Sequence, residues 1–250
     1  MQESQHGVEL RGVSRIYTRG GEGVKVFDDV DLSVNAGAFC ALMGPSGSGK
    51  STLLNLVGGL DRPDSGDVVV GDTFLSDLSE SALAEWRSEN VGFVFQGFNL
   101  VPVLTAFENV ELPLLLTGLS KAERKEHAMH ALELVDMGDR AKHRPGQLSG
   151  GQEQRVAIAR AIASDPGVIL ADEPTGDLDF ESACQVLDLM GRLHTELGKT
   201  ILMVTHDPRA AERAERVIHL DKGRISESSE GTESADDGFR EVKPREGEGA

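Results

Sequence analysis

Apolar positions in this chain switch between two spacings. Residues 39–43 (FCALM) form an unbroken apolar run that stops at glycines and gives way to a helical pattern over 51–57, the order strand, glycine loop, helix. Ahead of that run, residues 7–34 read as short strands broken by a glycine-rich turn at 19–23. The hexapeptide DRPDSG at 61–66 is a turn, and a strand follows at 68–70. The pattern then predicts a short helix over 78–87 and a buried strand over 91–95. From about 99 to 165 the spacing is mostly helical, with Leu-rich and charged stretches. Strand spacing returns at 168–171 and 201–204. Between them Val186, Met190, Leu193 and Leu197 repeat at helical spacing up to Gly198, a helix stop. Strands and helices alternating around a helical middle predict an α/β fold on a parallel sheet, with a helical subdomain inserted at about 97–165 of a domain spanning 1–225. No internal repeat is present. Residues 226–250 hold four apolar residues, eight acids and three bases, which predicts a disordered acidic tail.

Composition narrows the classes. The 250 residues are 39% hydrophobic, ordinary for a globular chain with a sizeable core. A formal net charge of -17, with the 25 Lys and Arg residues scattered, argues against a nucleic-acid partner. Eight of those 25 are Lys, against 42 acids, which fits either the strongly solvated acidic surface of a salt-adapted chain or, more plainly, a mildly acidic soluble protein. Cys40 and Cys184 lack metal-ligand spacing and are expected to be buried free thiols in a reducing compartment. No secretory signal is visible near the start, and no apolar stretch is long enough to span a bilayer, so a membrane role is expected only through a partner.

The first candidate chemistry lies in the glycine loop. Residues 44–51 read GPSGSGKS, the pattern G-x-x-x-x-G-K-[ST]. Gly44, Pro45, Ser46, Gly47, Ser48 and Gly49 curl the backbone so that successive N–H groups face phosphate oxygens. The following helix adds its positive end, and Thr52 continues it. Lys50 is placed to reach the outer phosphates and the Ser51 hydroxyl to ligate Mg²⁺. A flexible Gly/Ser loop is the plainer reading, and the strand before and helix after it argue against that.

The run 168–171 ends at Asp172 and Glu173. A carboxylate at the C-terminal end of a buried parallel strand faces the crevice where open α/β sheets bind ligands. Asp172 is therefore a candidate Mg²⁺ residue and Glu173 a candidate base for an attacking water. Residues 148–152 read LSGGQ. Ser149 and Gln152 have capping-box spacing, while Gly150 and Gly151 weaken a first helical turn and so suggest close approach of another group, such as a phosphate.

With LSGGQ upstream of Asp172 and Glu173, the chain resembles the ABC ATPases over about residues 8–225. The resemblance implies a P-loop NTPase fold with a mostly parallel core sheet, an antiparallel β subdomain and the inserted helical subdomain. It implies ATP and Mg²⁺ as cofactors. It carries over Tyr17 as the ring that stacks on adenine and Gln96 as the residue touching Mg²⁺ and the attacking water. Ser149, Gly150, Gly151 and Gln152 become the signature that contacts nucleotide across a dimer, with Asp179 in the adjoining loop and His206 on the γ-phosphate. Lys50, Gln96, Glu173 and His206 are thus the implied catalytic set. Phe93, Phe95, Phe98 and Phe107 surround Gln96; most are expected in the core, with one or two lining a groove for a membrane partner.

The segment VGFVFQGFNLVPVLTAFENVELPL and the later motifs are similar to the lipoprotein-release and macrolide-export branch, with Glu153 and Asp177 where that branch carries Gln and Asn. The implied assembly is a homodimer formed on ATP binding, peripheral on the cytoplasmic face of the membrane beneath a separate permease. Two other readings are a regulatory ATPase of the cell-division type and a soluble ABC ATPase acting on DNA or ribosomes. The latter predicts a coiled-coil insertion, zinc-ligand cysteines or a second cassette, none of which occurs in this sequence.

Overall fold

The apolar runs of the sequence become the strands of a parallel sheet whose two faces are both covered, as unbroken runs require. In the computed structural model, which describes residues 6–19 and 22–228, the chain runs β1 (His6–Arg19), β2 (Glu22–Asn35), β3 (Phe39–Met43), α1 (Lys50–Val57), β4 (Ser65–Val70), β5 (Thr73–Phe74), α2 (Glu80–Asn90) and β6 (Val91–Phe95). It continues α3 (Ala106–Glu111), α4 (Lys121–Leu134), α5 (Gly150–Ile162), β7 (Val168–Asp172), α6 (Phe180–Leu197), β8 (Thr200–Val204), α7 (Pro208–Ala211), β9 (Arg216–Asp221) and β10 (Arg224–Ser228).

Two sheets result. The larger has the order β10-β9-β3-β8-β7-β6, parallel except for the β9–β10 hairpin. The smaller is antiparallel, β2-β1-β4-β5. Alternation along each parallel strand divides the core. Phe39, Ala41, Ile169, Ala171, Ile201 and Met203 face one buried cluster together with α5 and α6. Cys40, Leu42, Val168, Leu170, Leu202 and Val204 face another, formed with α1 and the antiparallel sheet. Each fully buried Val, Leu, Ile, Phe or Met among them contributes roughly 1.5–3 kcal/mol.

The helices between β6 and β7 begin on self-contained caps. Thr105 with Glu108, Ser120 with Glu123 and Ser149 with Gln152 each form a reciprocal capping box. Helix α6 starts on Asp179 and ends at Gly198, the expected stop. No helix among the described residues is long and apolar enough to cross a membrane.

Several expectations change. Residues 7–34 are not several short strands but two 14-residue strands paired as one hairpin, with register shifts between Leu10, Val13, Arg15 and Ile16. Residues 20 and 21 of the expected turn lie outside the described residues. Strand β4 starts at Ser65, inside the expected turn. Cys40 is buried, as expected, but Cys184 is only half-buried. Helix α7 and strands β9 and β10 have no counterpart in the sequence reading, because β9 buries only Ile218 and Leu220 and its other positions are polar or partly exposed. Strand β10 reaches three residues into the segment assigned to the acidic tail; the rest of that segment, 229–250, lies outside the described residues.

Candidate functional site

Three strand ends and one glycine loop build the site. Met43 closes β3 and the chain turns through 44–49 into α1. Gly44 has φ 154°, and a Cβ there would run into the Leu220 carbonyl of β9, so no other residue fits. Pro45 and Ser48 shape the loop: the Ser48 amide donates to the Pro45 carbonyl at 3.2 Å and the Ser48 side chain is buried. The Lys50 ammonium donates to the Gly44 and Pro45 carbonyls at 2.8 and 2.9 Å, which holds the curl from inside.

Register carries the carboxylates to this loop. Asp172 is the last residue of β7, and the Ser51 hydroxyl donates to Asp172 Oδ2 at 3.2 Å. Burial pushes the Asp172 carboxyl above its ordinary value; the Ser51 hydrogen bond opposes this, the Glu173 charge adds to it and the Lys50 charge opposes it. Glu173 takes a left-handed φ of 48° and its N–H donates to the Val204 carbonyl at 3.0 Å, fixing the ends of β7 and β8 together. His206, two residues beyond β8, places Nδ1 2.9 Å from Glu173 Oε2 while its ring is 70% exposed.

A cleft of about 480 Å³ gathers Tyr17, Gly44, Ser46, Gly47, Gly49, Lys50, Ser51, Thr52, Asp172, Glu173 and His206. Tyr17 is held on two sides. Its hydroxyl donates to Asp61 Oδ2, and the Arg15 guanidinium lies 4.5 Å from its ring centre. Arg15 is in turn gripped by Asp61 at 2.7 and 3.0 Å and by Asp64 at 3.2 Å.

Other expected site residues lie elsewhere. Gln96, one residue past β6, does not join Ser51 and Asp172; its Nε2 donates to Asp177 Oδ1 at 2.7 Å. Ser149, Gly150, Gly151 and Gln152 are outside the cleft, at the start of α5. There the Gln152 amide donates to Ser149 Oγ at 3.3 Å and the Ser149 amide to Gln152 Oε1 at 3.0 Å. The close approach at Gly151 comes from within the chain: a Cβ would lie 2.8 Å from Ser182 Oγ and 2.9 Å from Ser182 Cβ. Asp179 is likewise outside the cleft and accepts from the Ser182 amide at 3.0 Å and its hydroxyl at 2.8 Å. These hydrogen bonds hold its carboxyl below the ordinary value. Phe93 and Phe95 stack with ring centres 5.8 Å apart along a second groove, lined also by Pro113, Leu116 and Arg160; Phe107 packs against the core.

Sequence reasoning does not single out Arg15, Asp61 or Gln154, and it marks Asp177 only as a departure from the branch pattern, not as the partner of Gln96. Gln154 does leave a signal: it sits on the apolar stripe 154, 157, 158, 161 and 162, where a polar residue demands a buried partner.

The oxygen donors and the loop fit a magnesium nucleotide. Ser51 and Asp172 offer hard oxygen ligands side by side, next to a curled backbone and a fixed lysine. Residues 27–176 match the family model described as ABC transporter. The chain is 50% identical over 216 residues to an uncharacterized ABC transporter ATP-binding protein, YvrO, of Bacillus subtilis, covering 86% of this chain and 94% of that one. It is 45% identical over 222 residues to the lipoprotein-releasing system ATP-binding protein LolD of Chromohalobacter salexigens, covering 89% and 94%. The fold is similar to a solved dimer of the cassette MJ0796 in a post-hydrolysis state bound to ADP and Pi, with TM-score 0.79 and 44% identity over 88% of this chain and 98% of that one.

Proposed function

This chain belongs to the ABC transporter family, and from that premise we propose that it is the ATP-hydrolysing subunit of a lipoprotein-release or export system, coupled to a separate membrane permease. The observation that carries this reading is the meeting of the lysine-bearing loop with Asp172, Glu173 and His206 in one cleft.

Each residue then has a task. The loop 44–51 binds the phosphates through its N–H groups, and Tyr17 stacks on the base. Lys50 leaves the loop carbonyls to meet the outer phosphates. Ser51 and Asp172 would hold Mg²⁺, which supplies neutralisation of phosphate charge when bound. Glu173 orients the attacking water and accepts its proton. His206, already against Glu173, holds that carboxylate in place and donates to the departing phosphate.

Ser149 and Gly151 lie outside the cleft that contains Lys50, which supports their acting on a nucleotide held by a second copy arranged head to tail. ATP then bridges the two copies, and its hydrolysis shifts the population back toward separate chains. The groove beside Phe93, Phe95 and Leu116 provides the apolar seat for the permease, with the chain peripheral on the cytoplasmic face. Leu116 is 79% exposed there.

The test is Mg²⁺-dependent ATP hydrolysis by the purified chain together with a gentle-detergent pull-down from native membranes. Hydrolysis and recovery of a permease with a large extracytoplasmic domain support the proposal. Recovery of a permease with a soluble binding protein moves the chain to an importer, and recovery from the cytosol without a membrane partner overturns the transport role.

A further inference from the structure

Helix α5 carries one polar side chain on its buried stripe. Gln154 is fully buried, and its Nε2 donates to the Phe95 carbonyl at 3.2 Å and to the Pro174 carbonyl. The first of these groups immediately precedes Gln96, and the second immediately follows Glu173. Six residues along the same helix, the Arg160 guanidinium donates to the Phe98 carbonyl at 2.8 Å and to the Asn99 carbonyl. Phe98 and Asn99 have φ of 57° and 52°; Asn adopts this left-handed region readily, but a Phe holds it only when the surroundings enforce it. The arc 95–99 is therefore fastened at both ends to one helix, the helix that Ser149 opens.

Packing alone does not account for Gln154. Its Oε1 is buried with no hydrogen-bond partner among the described residues. An amide in that state is a net cost that Leu or Met would avoid, and the two donated hydrogen bonds are what the amide supplies in return.

We infer that Gln154, seconded by Arg160, is a positioning residue that ties the Gln96 arc and the Glu173 turn to α5, so that displacement of α5 moves both together. Arg160 also borders the groove lined by Phe93 and Phe95, so a group seated there bears on one end of the same fastening. The inference rests on the ATPase reading given above.

The test is steady-state ATP hydrolysis by the full chain and its Gln154→Met and Arg160→Met variants, with thermal midpoints measured alongside. Nucleotide is bound by the loop 44–51 and Tyr17, which neither substitution touches. Gln154→Met is expected to lower kcat by about tenfold or more while KM for ATP stays within about twofold, since small misplacements of reacting groups cost rate rather than binding. A Gln154→Met kcat within about twofold of the unsubstituted chain overturns the inference, as does a loss of turnover that disappears on cooling below the variant's midpoint. Should the variant not fold, the Gln154 side-chain amide is followed by NMR in the unsubstituted chain. Slow hydrogen exchange, with resonances that move when Mg²⁺ and a non-hydrolysable ATP analogue are added, supports it; rapid exchange overturns it. An unsubstituted chain without ATPase activity defeats the underlying reading, whereas activity in both chains defeats this inference alone.

Discussion

His206 Nδ1 lies 2.9 Å from Glu173 Oε2, across the gap where β7 and β8 end. The Glu173 amide is held by the Val204 carbonyl of β8, so backbone and side chain both fix this carboxylate against one neighbouring strand. Glu173→Gln keeps the size and the backbone contact and removes the base. Turnover is expected to fall by about 10²–10⁴-fold, the usual worth of a general base, while ATP still binds. Size-exclusion chromatography with ATP should then show a persistent dimer that ADP does not support. Near-normal turnover would remove Glu173 from this role.

Asp172 makes the site sensitive to pH. Burial raises its carboxyl pKa in the folded chain, against the opposing Ser51 hydrogen bond. An acid raised in this way favours folding while protonated. That contribution is complete below the unfolded value of about 4 and is lost as pH rises through the folded value. Asp172→Asn is therefore expected to raise the thermal midpoint of the nucleotide-free chain near neutral pH, with the gain vanishing in acid. The same variant should lose the extra stabilisation that Mg²⁺ and ATP confer together. A lower midpoint at neutral pH would mean that the ionised carboxylate is net favourable.

Neighbouring glycines in the first turn of α5 should respond in opposite ways. Gly151→Ala drives a Cβ to within 2.8 Å of Ser182 Oγ, a hydroxyl already committed to Asp179. Overpacking of about 1–3 kcal/mol exceeds the helix-propensity gain of roughly 1 kcal/mol at most sites. The midpoint is expected to drop by roughly 2–8 °C in calorimetry, and Ser182→Gly should recover part of it. At Gly150 a Cβ meets Leu178 and Phe98 at 3.5 and 3.7 Å, which is ordinary contact. Gly150→Ala should keep its midpoint and weaken ATP-dependent dimerisation; equal destabilisation by both would refute this geometry.

Tyr17 separates stacking from anchoring. Tyr17→Phe loses the hydroxyl contact to Asp61 but keeps the ring over Arg15. Removing the ring with Tyr17→Ala should weaken nucleotide binding by about tenfold, because base stacking on an aromatic ring contributes about 1–3 kcal/mol. Fluorescent-nucleotide titration should place Tyr17→Phe much closer to the unsubstituted chain. Equal losses would assign the binding to the hydroxyl.

What the sequence disclosed follows from locality. Lys50, Ser51, Asp172 and Glu173 each adjoin an apolar run whose strand character is read within a few residues, so the loop and the carboxylates could be placed against one another. Gln152 and Ser149 form the expected cap because that contact spans three residues. Gln96 was expected at the metal and rests instead on Asp177, a residue 81 positions away that no periodicity connects to it. Arg15 and Asp61, which hold Tyr17, are 46 positions apart and meet only because β1 pairs with β4. The length of the β1–β2 hairpin was hidden by its bulges, which break the two-residue period. Strand β9 was hidden because it presents only two buried residues.

The position of β3 between β8 and β9 has a consequence for synthesis on the ribosome. The strand leading into the phosphate loop, Phe39–Met43, is translated more than 150 residues before its first hydrogen-bonding neighbour, β8, which starts at Thr200, and the second, β9, starts at Arg216. In the meantime β3 is an apolar segment with both edges open. The three self-capped helices between β6 and β7 can form from local contacts as they emerge, which shortens the effective span that β6–β7 pairing must close. The nucleotide cleft is thus completed only once β8 and β9 have emerged, and chains truncated before about residue 220 would expose the very strand that carries the phosphate loop.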